Sequence, residues 1–329
     1  MTETLKKLIE ILQDGKFHSG EQIGKSLNIT RSAIWKLMKQ LSTRGLEIES
    51  VTNKGYRMSE PLILLEKEKI LSLLSQKSIA QLDELDVLES IPSTNDYLLD
   101  PSKVKSKKTI ACLAECQTRG KGRRGRTWVS PFAKNIYLSL LWHFKEDPSA
   151  LAGLSLAIAI SIIEALEMYG ITQTLGVKWP NDLYCNDHKL AGILIELSGE
   201  VYDTCSAVIG LGLNVYMPKT YQDGISQPFT HLQALSTEKI DRNKIASLLL
   251  HGLIQTILVF EREGFEPFRK RWSKYDLTLG KPVSVITAGH TFEGIGRGID
   301  QNGLFLLEDK TGTIKSFSSA EVSIRFNQT

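Results

Sequence analysis

The spacing of apolar residues changes period twice along this chain, and that constrains the fold more than any single motif does. In the first part, Leu5, Leu8, Ile9 and Leu12 recur at helical spacing, and Asp14-Gly15 closes that helix. Ser19 is placed to cap a second helix running to Leu27. After a break at 28–31, Thr30 caps a third, whose Ile34, Leu37, Met38 and Leu41 form one apolar face. The alternating run 46–50, a turn at Asn53, Lys54 and Gly55, and a further short run then predict a hairpin. Three helices followed by a hairpin is the order of a winged helix-turn-helix, whose recognition helix enters the major groove. Arg31, Ser32 and Lys36 at the start of the third helix, with Lys54 in the wing, are the candidate DNA contacts. A helical module for protein association shares the same apolar pattern.

From the charged residues after Pro61 onward, a helix is expected around 66–76, after which strand-like runs alternate with helical ones. The strands are expected at 85–91, 109–116, 135–142, 176–180, 189–197 and 206–215, with a long helix from 151. That order predicts an α+β domain on a mixed sheet. Past about residue 276 the pattern becomes short strands separated by Gly, Asp and Asn turns, at 282–287, 291–299, 303–308 and 313–317, which suggests a small β-barrel. The expected domains are therefore 1–62, 63–275 and 276–329, in a multidomain α+β chain.

Composition narrows the class. The 329 residues are 42% apolar and 23% charged with a net charge of +3, as in an ordinary globular protein, and the charge neither demands nor forbids nucleic acid. Cys112, Cys116, Cys185 and Cys205 form no CxxC pair, and the histidines show no ligand spacing with them, so no protein metal site is expected. The N-terminus lacks a secretory layout, and the apolar stretch 151–166 is interrupted by Gly153 and Ser155 and carries Glu164. It reads as a buried helix, and the expectation is a cytoplasmic protein with no membrane span.

Two segments carry chemistry. In RGKGRRGRTW, residues 119–128, three glycines alternate with five cations before a tryptophan. Glycine lets the backbone wrap closely around a ligand and the cations attract an anion, although a solvated basic loop or a nucleic-acid patch has the same composition. In KWPNDLYCNDHKLAGILIEL, residues 178–197, a turn at Asn186-Asp187 would fold Lys189 back toward Asp182 and Lys178. A structural salt bridge would leave that signature too. Together the segments offer a flexible basic loop, a lysine on a rigid strand and a carboxylate in the neighbouring turn. Such parts suit attack by an anionic substrate on the α-phosphate of a nucleotide, where the enzyme aligns two anions and stabilises the added charge with Arg, Lys and Mg²⁺. No GxSxG, HExxH or Walker A sequence is present, which removes local support for serine hydrolase, zincin and P-loop chemistry. Trp128 is a candidate stacking face for a base, or equally a core or cation–π residue.

PSTND (92–96), AECQTRGKGRRGRTWVSP (114–131), KWPNDLY (178–184), KLAGILIEL (189–197) and GLGLNV (210–215) together resemble the signature segments of biotin–protein ligases, in that order. With the N-terminal and C-terminal modules, the whole chain is similar to the branch that is both ligase and biotin-operon repressor. The resemblance implies a central biotin/lipoate ligase-like domain, an SH3-like C-terminal domain, and two reactions. Biotin and ATP give biotinyl-5′-AMP, and a lysine of a biotin carboxyl carrier domain then attacks that anhydride. It implies biotin contacts from Ser93, Thr94, Asn95, Gln117, Lys121, Gly122, Arg123 and Lys189. The nucleotide side falls to Arg126, Trp128, Lys178, Asn181, Asp182, Asn214 and Phe229, and the charge of the reaction to Lys189, Arg123 and Arg126. Lys121 stands where the repressor-type loop has arginine, which exchanges a bidentate donor for a point charge. Operator DNA and a homodimer promoted by the adenylate as corepressor are the further partners implied. A lipoate–protein ligase and a DNA-binding sensor without ligase activity are the alternatives.

Overall fold

The computed structural model describes residues 1–60, 62–145, 151–198, 205–287, 289–318 and 322–326, so Pro61 lies outside the described residues. The first three helices are α1 (Glu3–Leu12), α2 (Gly20–Leu27) and α3 (Arg31–Thr43). Each starts at a side-chain cap. Ser19 and Gln22 form a reciprocal capping box, in which Gln22 N donates to Ser19 Oγ at 3.1 Å and Ser19 N donates to Gln22 Oε1 at 2.9 Å. Thr30 Oγ1 accepts from Ala33 N. Strands β1 (Ile48–Val51) and β2 (Gly55–Met58) complete the winged helix-turn-helix as an antiparallel hairpin. The expected apolar faces meet in one core, which Phe132 and Ala133 of the central part of the chain also enter.

The expected helix at 66–76 is two, α4 (Lys67–Leu73) and α5 (Gln76–Ile79). Leu74 is extended, and Ser75 caps the second piece by accepting from Ser78 N, so a local side-chain bond wins over helix continuation. Next come β3 (Glu84–Ile91), α6 (Thr94–Leu98), α7 (Pro101–Lys105), β4 (Ile110–Gln117), β5 (Ile136–Phe144), α8 (Leu154–Tyr169), β6 (Leu175–Lys178), β7 (Asp182–Cys185), β8 (His188–Ser198) and β9 (Cys205–Leu213). The seven strands form one mixed sheet in the order β3-β4-β5-β9-β8-β7-β6, with β3 and β4 parallel and the rest antiparallel. Helix α8 starts three residues after the expected position because Gly153 adopts φ 83°, with Phe265 packed where a side chain would stand.

Helix α9 (Arg242–Glu263) packs along α8 and against β5, and α10 (Glu266–Tyr275) follows. By length and composition α9 alone among the described residues could cross a bilayer, but Ile245, Leu249, Leu253, Ile257 and Phe260 are buried in the core of this molecule. The chain ends in an antiparallel SH3-like sheet of β10 (Pro282–Ile286), β11 (Thr291–Ile299), β12 (Phe305–Glu308), β13 (Ile314–Phe317) and β14 (Ser323–Phe326), ordered β13-β12-β11-β10-β14. Its Val283, Val285, Phe305 and Leu307 belong to the same hydrophobic core as α8 and the large sheet. Trp179 is a bolt between them, its buried Nε1 donating to Gly303 O at 3.1 Å and its ring 5.5 Å from Phe305.

Polar pairs fix the winged helix to the rest. Arg44 donates to Glu89 Oε1 from Nε at 2.9 Å and Nη2 at 2.7 Å. Glu60, just past β2, accepts from Lys134 Nζ at 2.5 Å and from the Tyr216 hydroxyl at 2.5 Å.

Candidate functional site

A cavity of about 1470 Å³ opens beside the C-terminal ends of β6 and β9 and the middle of β8, and all fifteen ligand-site residues expected from the sequence line it. It exceeds the roughly 300–1,000 Å³ typical of one small ligand, so it has room for two joined end to end.

One end is a buried polar set. Ser93 caps α6, which places Thr94 and Asn95 in its first turn, facing β5. Thr94 donates to Gln117 Oε1 from its N at 2.8 Å and its Oγ1 at 3.0 Å. Ser139 Oγ, from β5, lies 2.7 Å from Thr94 Oγ1 and 2.6 Å from Asn95 Oδ1. Asn95 Nδ2 donates to Glu196 Oε2 at 2.7 Å. Every member is thereby held at a fixed angle before a ligand arrives. Gly210 of β9 makes this possible, since a Cβ there would sit 2.2 Å from Asn95 Oδ1. Ser139 and Glu196 were invisible to sequence reasoning, because neither stands in a polar motif; only the strand pairing brings them in.

The basic loop closes the side of the cavity. Gly122 N donates to Arg126 O at 2.7 Å and Trp128 N to Gly120 O at 2.9 Å, which folds 120–128 into a narrow hairpin. Arg124, at its tip, adopts φ 58°. Arg123 turns inward, donates from Nη1 to Asn181 Oδ1 at 3.1 Å, and burial depresses its pKa below the ordinary arginine range. Lys121 is differently placed. It is paired with Asp96 and lies 3.7 Å from Glu196, and the Asp96 carboxylate raises its pKa. Lys121 therefore fastens the loop to α6 and β8.

At the centre, Lys189 Nζ lies 2.7 Å from Asp182 Oδ1 and 5.4 Å from the Trp128 ring centroid. Asn181 is held by its Nδ2 donating to Ile193 O at 2.6 Å. Trp128 Nε1 is buried and has no acceptor among the described residues. Its indole lies against Gly212, where a Cβ would come within 2.4 Å of the ring. Beyond it the strap 228–230 adds to the edge of β8, with Lys189 N donating to Pro228 O at 3.0 Å and Thr230 N to Lys189 O at 2.9 Å. Asn214 Nδ2 donates to Thr230 O at 3.1 Å, which secures the strap that carries Phe229. Lys178 is pushed below the usual lysine range by burial, against the opposing pull of Asp182. Lys281, Arg325 and Phe326 of the C-terminal sheet also line this end, and no pattern in the last fifty residues marked them.

Among the described residues no cluster of three His, Cys, Asp or Glu could hold a metal, and Asp182 and Asp187 are the carboxylates on the cavity wall. In the winged helix, Arg31, Ser32 and Lys36 are exposed on α3 and Lys54 is exposed in the hairpin turn, 5.9 Å from the Phe17 ring centroid.

Comparisons with known proteins agree with this layout. Residues 87–214 match the Biotin/lipoate A/B protein ligase family, residues 4–57 an HTH domain, and residues 278–325 the Biotin protein ligase C terminal domain. The chain is 43% identical to the Bifunctional ligase/repressor BirA of Escherichia coli strain K12, over 97% of this chain and 96% of that one. It is 32% identical to the protein of the same description from Bacillus subtilis strain 168, over 98% and 100%. In structure it is similar to a biotin protein ligase from Aquifex aeolicus solved with biotin and ATP, at TM-score 0.62 and 27% identity, covering 74% of this chain and all of that one.

Proposed function

The chain belongs to the family of bifunctional biotin ligases and repressors, and we propose that its cavity joins biotin to ATP and passes the biotinyl group to an acceptor lysine. It is a biotin–protein ligase carrying a helix-turn-helix repressor domain. The observation that carries the finer reading is the polarity of the cavity: fixed neutral hydrogen-bonding groups at one end, cations at the other.

Thr94, Asn95 and Gln117, braced from behind by Ser139, suit the cyclic urea of biotin, which offers two N–H donors and a carbonyl acceptor. Lipoate has no such group. Gly210, Gly212 and the apolar side chains of β8 and β9 accommodate the ring and the valeryl chain, which leads the carboxylate toward Lys189 and Arg123. There a carboxylate oxygen attacks the α-phosphorus, the bond to the β-phosphate bridging oxygen breaks, and pyrophosphate leaves. Lys189 and Arg123 hold the two anions together, and Arg126 and Lys178 take up charge that develops on the nucleotide side. The Trp128 N–H supplies a donor for the adenylate. Mg²⁺ enters with ATP and neutralises phosphate charge. In the second step the acceptor lysine's amine attacks the acyl carbon, AMP departs, and an amide remains.

We assign 1–62 to operator binding, 63–275 to ligation and 276–329 to closing the nucleotide end. Palindromic operators need paired helix-turn-helix units, so the adenylate-bound form is proposed to dimerise as the repressor, in the cytoplasm. Biotin-dependent exchange of pyrophosphate into ATP tests the first step; exchange with lipoate and none with biotin would overturn the substrate assignment.

A further inference from the structure

Helix α3 buries Ile34, Met38 and Leu41 and turns Arg31, Ser32, Trp35, Lys36 and Lys39 outward. Trp35 is 57% exposed, and it is the one aromatic among the large apolar side chains left exposed in the described residues. An indole facing water loses the stabilisation that burial would give, and none of the described residues buries it. Its neighbours state what kind of surface would. Arg31 and Lys39 stand four residues before and after it on the same ridge, and Lys39 Nζ is 5.5 Å from the indole centroid. The helix contains no carboxylate. An apolar plate between two cations, on a helix with no negative charge, is complementary to a groove whose walls are phosphate and whose floor carries methyl groups.

We infer that Trp35 is a specificity-determining residue of the repressor function, its indole packing against thymine 5-methyl groups in the major groove while Arg31 and Lys39 meet the flanking phosphates. The inference rests on the reading of this domain as an operator binder. Held on the flanking phosphates, Arg31 and Lys39 would add affinity without sequence information, whereas an apolar contact with a methyl group discriminates between bases. The cation–π contact with Lys39 restrains the indole before binding and lowers the ordering cost.

The test starts from duplexes enriched from a random-sequence pool by the full-length protein with biotin and ATP. Each thymine is then replaced singly by deoxyuridine, which pairs identically and lacks only the methyl group. Trp35→Ala should bind the enriched duplex about ten-fold more weakly. At one or two positions deoxyuridine should cost the unmodified protein several-fold and cost W35A nothing further. The salt dependence of binding should be the same for W35A and the unmodified protein, since no phosphate contact is lost. Binding by W35A within two-fold of the unmodified protein, or equal losses by both at every deoxyuridine, would overturn the inference while leaving the repressor reading intact. Enrichment of no duplex at all would overturn the repressor reading and this inference with it. Should W35A fail to fold, the deoxyuridine scan of the unmodified protein decides alone, and indifference to every thymine methyl would be contrary.

Discussion

Lys189 reaches Asp182, at 2.7 Å, because β8 carries a bulge and a glycine in the right places. Leu183 pairs with Ala191 and Tyr184 with Lys189, so the register slips at Leu190 and the Lys189 side chain falls on the same face as Gly192, the partner of Asp182. A Cβ on Gly192 would stand 3.4 Å from both Asp182 Oδ1 and the Lys189 side chain and 3.2 Å from the Trp128 ring. Three side chains assigned to the proposed reaction meet in the space that this glycine leaves. Lys189→Ala should therefore lower the rate of adenylate formation by about 100-fold or more, the range found when a preorganised donor to developing charge is removed. Single-turnover release of pyrophosphate measures it, and a loss under three-fold would take Lys189 out of the first step.

Gly212→Ala should push the Trp128 indole out of its seat, since the added methyl would stand 2.4 Å from the ring. The expected result is a fall in biotin transfer with a shift in tryptophan emission and little change in overall fold. Gly289→Ala is the control, because nothing lies within 4 Å of a Cβ there and the residue is away from the cavity wall.

Lys178 gives the nucleotide side a pH dependence. Its folded-state pKa is lowered by burial, so without a ligand its charge costs stability below that pKa, and the cost fades as pH rises through it toward the unfolded value. A bound phosphate reverses the preference and favours the ammonium. KM for ATP should consequently rise on the alkaline side earlier in the native protein than in Lys178→Arg, whose guanidinium keeps its proton. Parallel pH profiles for the two proteins would argue against contact between Lys178 and the nucleotide.

Glu60 holds Lys134 and Tyr216 at the seam with the winged helix, and the Lys134 side chain is only 5% exposed. Glu60→Gln leaves that ammonium without a counter-charge. A stability loss of about 1–3 kcal/mol is expected in urea unfolding, the cost of an unsatisfied polar group close to the surface. No change would mean that water substitutes for the carboxylate.

The basic loop should respond to ligand. Its hairpin is held by few bonds, with Lys121 latched to Asp96 and Glu196. Trypsin should cut within 119–128 rapidly in the free protein and slowly with biotin and ATP present; equal cleavage in both states would remove the loop from ligand closure.

Much of this was legible before the fold. Helical spacing and the caps at Ser19 and Thr30 located α2 and α3, and the glycine-rich loop and the KWPND segment located the cavity walls. What the sequence did not show depends on pairing between distant strands. Ser139 and Glu196 look like ordinary strand residues until β5 and β8 flank β9 in the large sheet. The bulge at Leu190 leaves no compositional trace, and Lys281 and Arg325 join the cavity only because the SH3-like sheet shares its core with α8. Helix α9 leaves little periodic signal in the sequence, because its central apolar residues run close together and hide the helical period.

The most direct test gives the full-length protein ATP, Mg²⁺ and either radiolabelled biotin or radiolabelled lipoate, with and without a biotin carboxyl carrier domain. The account predicts acid-stable label on a lysine of the carrier with biotin, none with lipoate, and none from Lys189→Ala. Carrier left unlabelled by biotin, or labelled equally by lipoate, would contradict it.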